Sequence, residues 1–212
     1  MVKIAAAIDT KEQILNVAER QFAEKGYAGT SLRGLIKEAE VNIAAVHYHF
    51  GSKEELYSAV VRRVAQQIVN AQQQELAKYE NQEHICLENI VEAFIAPTLR
   101  IIPQMGEMGV IRAHFMGSCR TEPLPIQQFV DREFNENHQR FLDIFQRALP
   151  NQTRLELEWK LDIVIAVLIR TLNQVGQSGK LIAESDAEEV EIAIARLVKF
   201  VVRGMKSSCL QE

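Results

Sequence analysis

The segment 42–56 constrains the fold more than any other part of the sequence, because it carries the signals for two helix boundaries. Asn42 is a favourable N-cap for a short helix, and Gly51 is a typical residue at the end of one. Ser52, followed three residues later by Glu55, matches the capping box that begins a helix. The sequence therefore predicts a short helix, a tight break and a further helix in immediate succession.

Apolar residues recur at helical spacing along the remainder of the chain, and no segment shows the alternation of a β-strand. The predicted fold class is therefore all-α. We expect Pro97 to kink or split its helix, and the glutamine run 72–74 to lie on a solvated face. The predicted helices run from the Thr10 capping box to Gly26, from the cap Thr30 to about Ala39, from Asn42 to Phe50, from Ser52 to about Tyr79, from Glu83 to Ile102, from Met105 to Ser118, from Pro123 to Pro150, from Leu155 to Val175 and from Asp186 to Met205.

The composition is that of an ordinary soluble globular protein, with 47% hydrophobic and 25% charged residues among 212. The net charge of -4 argues against a protein that binds nucleic acid over its whole surface, but it allows a local basic face. The longest apolar run, residues 163–169, is far shorter than the ~20 residues that span a bilayer. We expect no signal peptide in residues 1–8, no membrane partner and a cytoplasmic protein.

Catalytic and metal-binding patterns are not recognisable in the sequence. The three cysteines are too few and too scattered for a disulfide framework or a zinc site, so free thiols are predicted. The histidines beyond residue 50 lack a second ligand at metal spacing. No nucleophile–base arrangement or phosphate-binding loop is present, and we predict no metal, no cofactor and no enzyme. The residues concerned are Cys86, Cys119, Cys209, His84, His114 and His138.

Three short helices before residue 51 match the size of a small helix-turn-helix unit, in which the last helix enters the major groove of DNA. Small residues on that helix allow close approach to base edges, and polar residues around it can contact phosphate. Residues 1–53 contain seven cations and six acids, so we expect few phosphate contacts and a weak salt dependence. The candidate DNA contacts are Thr30, Ser31, Arg33, Asn42, Ile43, Ala44, Ala45, His47, Tyr48, His49 and Lys53.

The run from Thr10 to Leu56 resembles the N-terminal domain of TetR-family transcriptional regulators. The resemblance implies a homodimer that binds a palindromic operator in double-stranded DNA through residues 1–53. It also implies that a helical domain, residues 54–212, dimerises and binds a small effector, which usually releases a repressor from DNA. The variant 42–46 is similar to a branch that includes fatty-acid-responsive repressors. The matching residues are Ile14-Leu15, Ala18, Phe22 to Tyr27, Thr30-Ser31, Ile36, Ala39, Val41 and Tyr48 to Leu56.

Three positions depart from the family pattern. Glu40 stands where a glycine usually forms the turn between the second and third helices, which predicts a strained or differently shaped turn. Ala45 replaces a common threonine, and His47 replaces a common tyrosine. Because of Glu40, a helical ligand-binding or scaffold protein with weakened or lost DNA binding is the alternative function.

The C-terminal part contains methionine and aromatic residues that suit a pocket for an apolar or amphipathic effector. Arg112 could hold a carboxylate of that effector. The predicted ligand-binding residues are Phe94, Met105, Met108, Arg112, Phe115, Met116, Phe134 and Trp159.

The last two predicted helices are apolar on most of their circumference, which is typical of helices that are either central in the fold or shared with a partner. We therefore predict that they form a four-helix dimer interface with their symmetry mates. The predicted interface residues are Trp159, Ile163, Val167, Leu197 and Val201.

Overall fold

A computed structural model describes the backbone of residues 2–207 and the side chains of residues 10–207. Cys209 lies outside the described residues. The described part consists of helices, which confirms the all-α prediction. The helices are α1 (Val2–Gly29), α2 (Leu32–Glu38), α3 (Ile43–Phe50), α4 (Lys53–Ala77), α5 (Leu87–Gln104), α6 (Glu107–Ser118), a short 3-10 helix (Cys119–Thr121), α7 (Leu124–Ala148), α8 (Arg154–Leu172) and α9 (Ala187–Lys206).

The predicted boundaries around α3 are confirmed. The Asn42 side-chain oxygen accepts a hydrogen bond from the Ala45 N–H at 2.8 Å, and Gly51 ends the helix with a φ of 74°. Ser52 and Glu55 form the reciprocal hydrogen bonds of a capping box at the start of α4. Because these signals are local, each needs only the residues within one helical turn.

Two predicted helix starts are wrong. The Thr10 capping box does not begin α1, since that helix starts at Val2. Thr30 does not cap α2: the Ser31 hydroxyl accepts the Gly34 N–H at 3.1 Å, and the buried Thr30 hydroxyl donates to carbonyls of the preceding helix. The second error arises because the adjacent residues Thr30 and Ser31 have similar capping propensity and tertiary packing decides between them.

The predicted break at Gly26 is confirmed, although α1 resumes for one turn after it. Gly26 has a φ of 67° and a ψ of 177°, which lies in the region that favours glycine. The break leaves the Tyr27 N–H without a helical acceptor, and the Glu122 carboxylate accepts it at 2.7 Å. The first helix is therefore joined at its break to the segment that precedes α7.

The C-terminal helices enclose one core that continues into the N-terminal unit. α4 packs against α5 and α7, α5 packs against α9, and α1 packs against α6. α5 continues through Pro97 and Pro103 rather than splitting, since its apolar face is buried and tertiary packing offsets the lost backbone hydrogen bond. Over the part of the chain that the structure describes, no helix is long and apolar enough to cross a membrane.

The glutamine run is only partly solvated, which corrects the prediction for Gln72. Its side chain is buried, donates to the Phe94 carbonyl at 2.6 Å and accepts from Asn137 at 2.7 Å. It continues the row of buried α4 residues that recur at a spacing of four. The buried side-chain amide is stabilised in the core because both its nitrogen and its oxygen are hydrogen-bonded.

Candidate nucleic-acid interface and internal cavity

α3 presents one face to the core and the opposite face to solvent. Val46 and Phe50 are buried, whereas Ile43 and Tyr48 are exposed despite their apolar surfaces. The other exposed positions on or beside this helix are Asn42, Ala44 and His47, while Ala45 and His49 are half-buried. The outward face therefore combines small, apolar and hydrogen-bonding groups on a helix that is narrow enough for a major groove.

Two polar candidates on α3 are already engaged by its own backbone. The Asn42 oxygen caps the helix, and the His47 Nδ1 lies 2.7 Å from the Gly51 carbonyl oxygen. Because a carbonyl can only accept, Nδ1 carries the proton, and the neutral ring has an acceptor at Nε2. A neutral His47 therefore cannot donate to a phosphate as a tyrosine in its place would.

The turn before α3 has the backbone strain that the sequence predicts. Glu40 is exposed and adopts a φ of 51°, in the left-handed region that favours glycine. Nearby, Glu38 accepts a hydrogen bond from Gln21 at 2.6 Å and lies 4.0 Å from Arg20. These contacts hold the Glu38 carboxylate against α1.

The remaining candidate contacts lie around α3 with different degrees of exposure. Ser31 and Arg33 are exposed, whereas Thr30 is buried with its hydroxyl bonded internally, so its assignment as a phosphate contact is corrected. The Lys53 ammonium lies 4.2 Å from the centre of the Tyr27 ring. Partial burial lowers the pKa of Lys53, and the nearby Glu122 carboxylate opposes that shift.

Lys53→Ala is expected to weaken binding to every DNA sequence alike and to lower the slope of log affinity against log salt by about one per subunit. The physical reason is the loss of one phosphate-neutralising cation. Fluorescence anisotropy over a salt series measures the slope. Lys180→Ala, in the exposed segment between α8 and α9, is the control and should leave the slope unchanged. Equal slopes for the two variants would remove Lys53 from the phosphate contacts.

Two adjoining cavities lie inside the C-terminal helices and share the lining residues Ile68, Thr98, Met116 and Leu172. The larger, of about 60 Å³, is also lined by Gln72, Phe94, Arg120, Phe134 and His138. The smaller, of about 10 Å³, reaches Gln67 and Arg112. Ligand pockets usually measure about 300–1,000 Å³, so this interior is contracted.

The structure brings together only part of the predicted ligand-binding set. Phe94, Phe134 and Met116 line the larger cavity, and Arg112 lines the smaller one with Met116. The remaining four predicted residues do not line either cavity. Phe115 packs on the Tyr57 ring, Met105 contacts Arg112 through its sulfur at 3.0 Å, Met108 is half-buried, and Trp159 is exposed on α8.

His138 is a cavity residue that sequence reasoning treated as ordinary. Its ring stacks on Phe134 at 5.7 Å and lies 5.8 Å from the Phe94 ring. Burial, and to a smaller extent the positive charge of Arg120, lower the pKa of His138 to about 4. The neutral ring therefore belongs to the aromatic wall of the cavity at physiological pH.

Acidification is expected to destabilise the protein through His138. Its folded-state pKa lies below its ordinary value, so stability from the neutral ring is complete above pH 6.5 and falls as the pH approaches 4. Between pH 6.5 and 5 this loss amounts to about 2 kcal/mol. Denaturant unfolding at several pH values measures it. His138→Gln should flatten the dependence of the free energy of unfolding on pH, and the control His84→Gln, at an exposed position, should not. An unchanged pH dependence in His138→Gln would contradict the assignment of this loss to His138.

A buried ionic cluster joins α1 to the wall of the smaller cavity. The Arg112 Nε donates to the Glu19 carboxylate at 2.5 Å, and Arg63 of α4 donates to the same carboxylate. Glu19 is fully buried, and Arg112 is nearly so. Arg112 also donates to the Gln67 side-chain oxygen. The predicted carboxylate anchor is thus already paired with a carboxylate of the protein itself.

α8 and α9 expose large apolar side chains along a groove of about 200 Å³. Trp159 is 53% exposed, Phe200 is 67% exposed, and Ile163 is exposed beside them. Val167 is half-buried in the same groove. Leu197 and Val201 are mostly buried within the protomer, and Val201 also lines the groove. Phe200 was missed because it sits among buried residues of equal hydrophobicity.

Neither cysteine chemistry nor a metal site is evident in residues 10–207. Cys86 is an exposed free thiol and Cys119 a buried one. Burial raises the pKa of Cys119 to about 12, so this thiol is protonated and unreactive at neutral pH. Among these residues, no three histidine, cysteine or acidic side chains lie together as metal ligands would.

Comparison with protein families gives matches in both halves of the chain. Residues 14–60 match the family model of bacterial regulatory proteins of the tetR family. Residues 92–204 match the model of the tetracyclin repressor-like C-terminal domain. The second match alone covers more than half of the chain.

Individual relatives resemble the N-terminal segment. The chain is 38% identical over 58 residues to the HTH-type transcriptional repressor AcnR of Corynebacterium efficiens, spanning 27% of this chain and 31% of that protein. It is 33% identical over 66 residues to the nicotine-responsive transcriptional repressor HdnoR of Paenarthrobacter nicotinovorans, spanning 31% and 34%. The chain thus matches about a third of the length of these relatives.

The fold as a whole also resembles solved structures. A bacterial regulatory protein in the tetR family from Rhodococcus RHA1 superposes with a TM-score of 0.67 and 16% identity, covering 94% of this chain and 98% of that one. At this identity the likeness concerns the fold alone.

Proposed function

Because the chain belongs to the TetR family of bacterial transcriptional regulators, we propose that it is a homodimeric repressor of a palindromic operator, released by an apolar or amphipathic effector. The observation that carries this proposal is the exposed face of α3, which combines Ile43, Ala44 and Tyr48 on a capped recognition helix. Residues 1–53 form its DNA-binding domain and residues 54–212 its effector and dimerisation domain. It acts in the cytoplasm, and it has no catalytic role.

The dimer forms through the apolar groove of α8 and α9. Trp159, Ile163 and Phe200 expose a contiguous apolar surface that a symmetry mate can cover as a four-helix interface. Two α3 helices are then held at a separation of roughly 34–36 Å, which matches successive major grooves on one side of DNA.

The effector acts by expanding the contracted cavity. α4 lines both cavities through Ile68 and begins immediately after the α3 break, at the Ser52 cap. An occupant larger than the present volume must therefore move α4 or its neighbours, and α3 follows α4. The effector releases DNA because it binds the expanded state more tightly than the state that matches the operator.

Selection from fragmented genomic DNA tests the repressor function. The purified protein should enrich a palindrome, and its affinity for that palindrome should decrease with salt. Ala44→Asp on the exposed face of α3 should abolish binding, and Lys180→Ala should not. If no palindrome is enriched, the alternative of a helical ligand-binding or scaffold protein is favoured instead.

A further inference from the structure

The cluster of Arg112, Arg63 and Glu19 contains more positive than negative charge. Glu19 is fully buried, and the side chains of Arg112 and Arg63 are 7% and 16% exposed. Both guanidinium groups share the single Glu19 carboxylate, and the buried Arg63 Nε has no hydrogen-bond partner among the described residues. Glu12 also contacts Arg63, at 3.3 Å, but its side chain is more than half exposed. The buried set therefore has a surplus of one positive charge.

This surplus adjoins an apolar interior. Arg112 lines the smaller cavity together with Val64, Ile102 and Ala113. That cavity shares four lining residues with the larger one, whose wall contains the Phe94, Phe134 and His138 rings. An elongated molecule with its apolar body among these rings would direct its opposite end toward the guanidinium of Arg112.

We propose that the effector is an apolar carboxylate whose anionic group binds Arg112 in place of Glu19. This inference rests on the proposed function and specifies the ligand class of its site. With the ligand bound, Arg112 pairs with the effector and Arg63 retains Glu19, so two cations face two anions. Burial of charge is favourable only when each charge is paired, and this exchange completes the pairing.

The exchange also connects the cavity to the DNA-binding domain. Glu19 lies on α1, which packs against α6 and also against α2 and α3. While Arg112 holds Glu19, α1 is fixed to the wall of the cavity by charged hydrogen bonds. When the effector takes over Arg112, that connection is lost and the position of α1 on α6 is no longer fixed by it.

Matched pairs of probes test the anionic group separately from the apolar body. 4-Phenylbutyrate is compared with 4-phenylbutan-1-ol, and octanoate with octan-1-ol, by isothermal titration of the full-length protein at pH 7.5. At least one carboxylate should bind about tenfold more tightly than its alcohol, as expected for a hydrogen bond to a charged group. No preference for either carboxylate would overturn the inference.

Variants locate the site. Glu19→Gln removes the competing carboxylate and should tighten carboxylate binding severalfold, an effect that loss of a structural contact would not produce. The double variant Glu19→Gln with Arg112→Met removes the proposed anion-binding group without leaving a buried carboxylate that has lost Arg112. It should abolish the preference for the carboxylate over the alcohol. Arg100→Met, on the surface of α5, is the control and should retain it. Loss of the preference in Arg120→Met but not in the double variant would place the anion at the other end of the cavity and overturn the proposal.

The operator assay separates this inference from the proposed function. If the preferred carboxylate also releases DNA from the wild-type protein, both stand. DNA binding without a carboxylate preference overturns the ligand class alone. A carboxylate preference in a protein that enriches no palindrome contradicts the repressor function and leaves the Arg112 site supported.

Discussion

Phe200→Asp is expected to convert the dimer into monomers that bind a full operator at least 100-fold more weakly. Phe200 is 67% exposed within the protomer, beside Trp159 and Ile163. In the proposed dimer its ring is buried, and an aspartate there would place an unpaired charge in an apolar interface. Each subunit of the proposed dimer would bind one half-site, so a monomer also loses the joint binding of both.

Sedimentation velocity measures the oligomeric state in this experiment. Leu124→Asp is the matched control, since Leu124 is equally apolar and 74% exposed but lies at the start of α7. Val201 is unsuitable as a test because it is 5% exposed, and an aspartate there would destabilise the protomer itself. A Phe200→Asp variant that remains dimeric would exclude this face as the interface.

Glu19→Ala is expected to reduce the free energy of unfolding by about 3–5 kcal/mol. The substitution leaves Arg112 and Arg63 in a buried environment without their shared carboxylate. For a protein of this length such a loss corresponds to a decrease of roughly 10 °C in Tm. Combined Glu19→Leu and Arg112→Met should recover part of this stability, because the more deeply buried cation is removed together with the carboxylate and Arg63 retains its contact with Glu12.

Glu12→Ala is the control for the buried cluster, since Glu12 contacts the same Arg63 from an exposed position on the same helix. An exposed ion pair contributes less than about 1 kcal/mol. Denaturant unfolding of the two single variants and the double variant gives the comparison. Equal effects of Glu12→Ala and Glu19→Ala would show that burial of the cluster does not determine its energy.

The parts of this fold that were predictable from sequence are those with local causes. The Asn42 and Ser52 caps, the Gly51 termination and the Gly26 break depend on backbone groups within one helical turn, so their residue types were sufficient. The choice of Ser31 over Thr30 required knowledge of which hydroxyl meets the carbonyls of α1. This depends on how α2 packs against α1, which the local sequence does not specify.

Two of the polar residues that sequence reasoning missed carried a usable signal. Gln72 falls four residues after Ile68 and four before Leu76, in the same buried row of α4. Glu19 falls four residues after Leu15 on the buried side of α1. Helical spacing indicated that both side chains are buried, and buried polar groups require partners. The identity of those partners, on α4, α5, α6 and α7, was not contained in the spacing.

The two faces of α9 could not be separated in the same way. Leu197, Val201 and Phe200 are all apolar, and their spacing does not show which side packs on α5 and which remains for a second subunit. Only the packing of the protomer resolves this, since the exposed charged residues of α9 mark its solvent side but do not separate the apolar residues that pack on α5 from Phe200, which remains exposed.

The contact between the Gly26 break and Glu122 limits how the N-terminal helices of this protein could be exchanged for those of another protein. A Cβ at position 26 would lie 2.9 Å from the Glu122 oxygen that accepts the Tyr27 N–H. A chimaera that joins the N-terminal helices of another protein to these C-terminal helices must therefore keep a glycine at position 26. It must also keep an acidic residue at position 19, so that Arg112 retains its ion-pair partner. N-terminal helices that lack these two residues would lose the contacts of position 26 with Glu122 and of position 19 with Arg112. Their coupling to the cavity would then depend on the packing of α3 and α1 against α4.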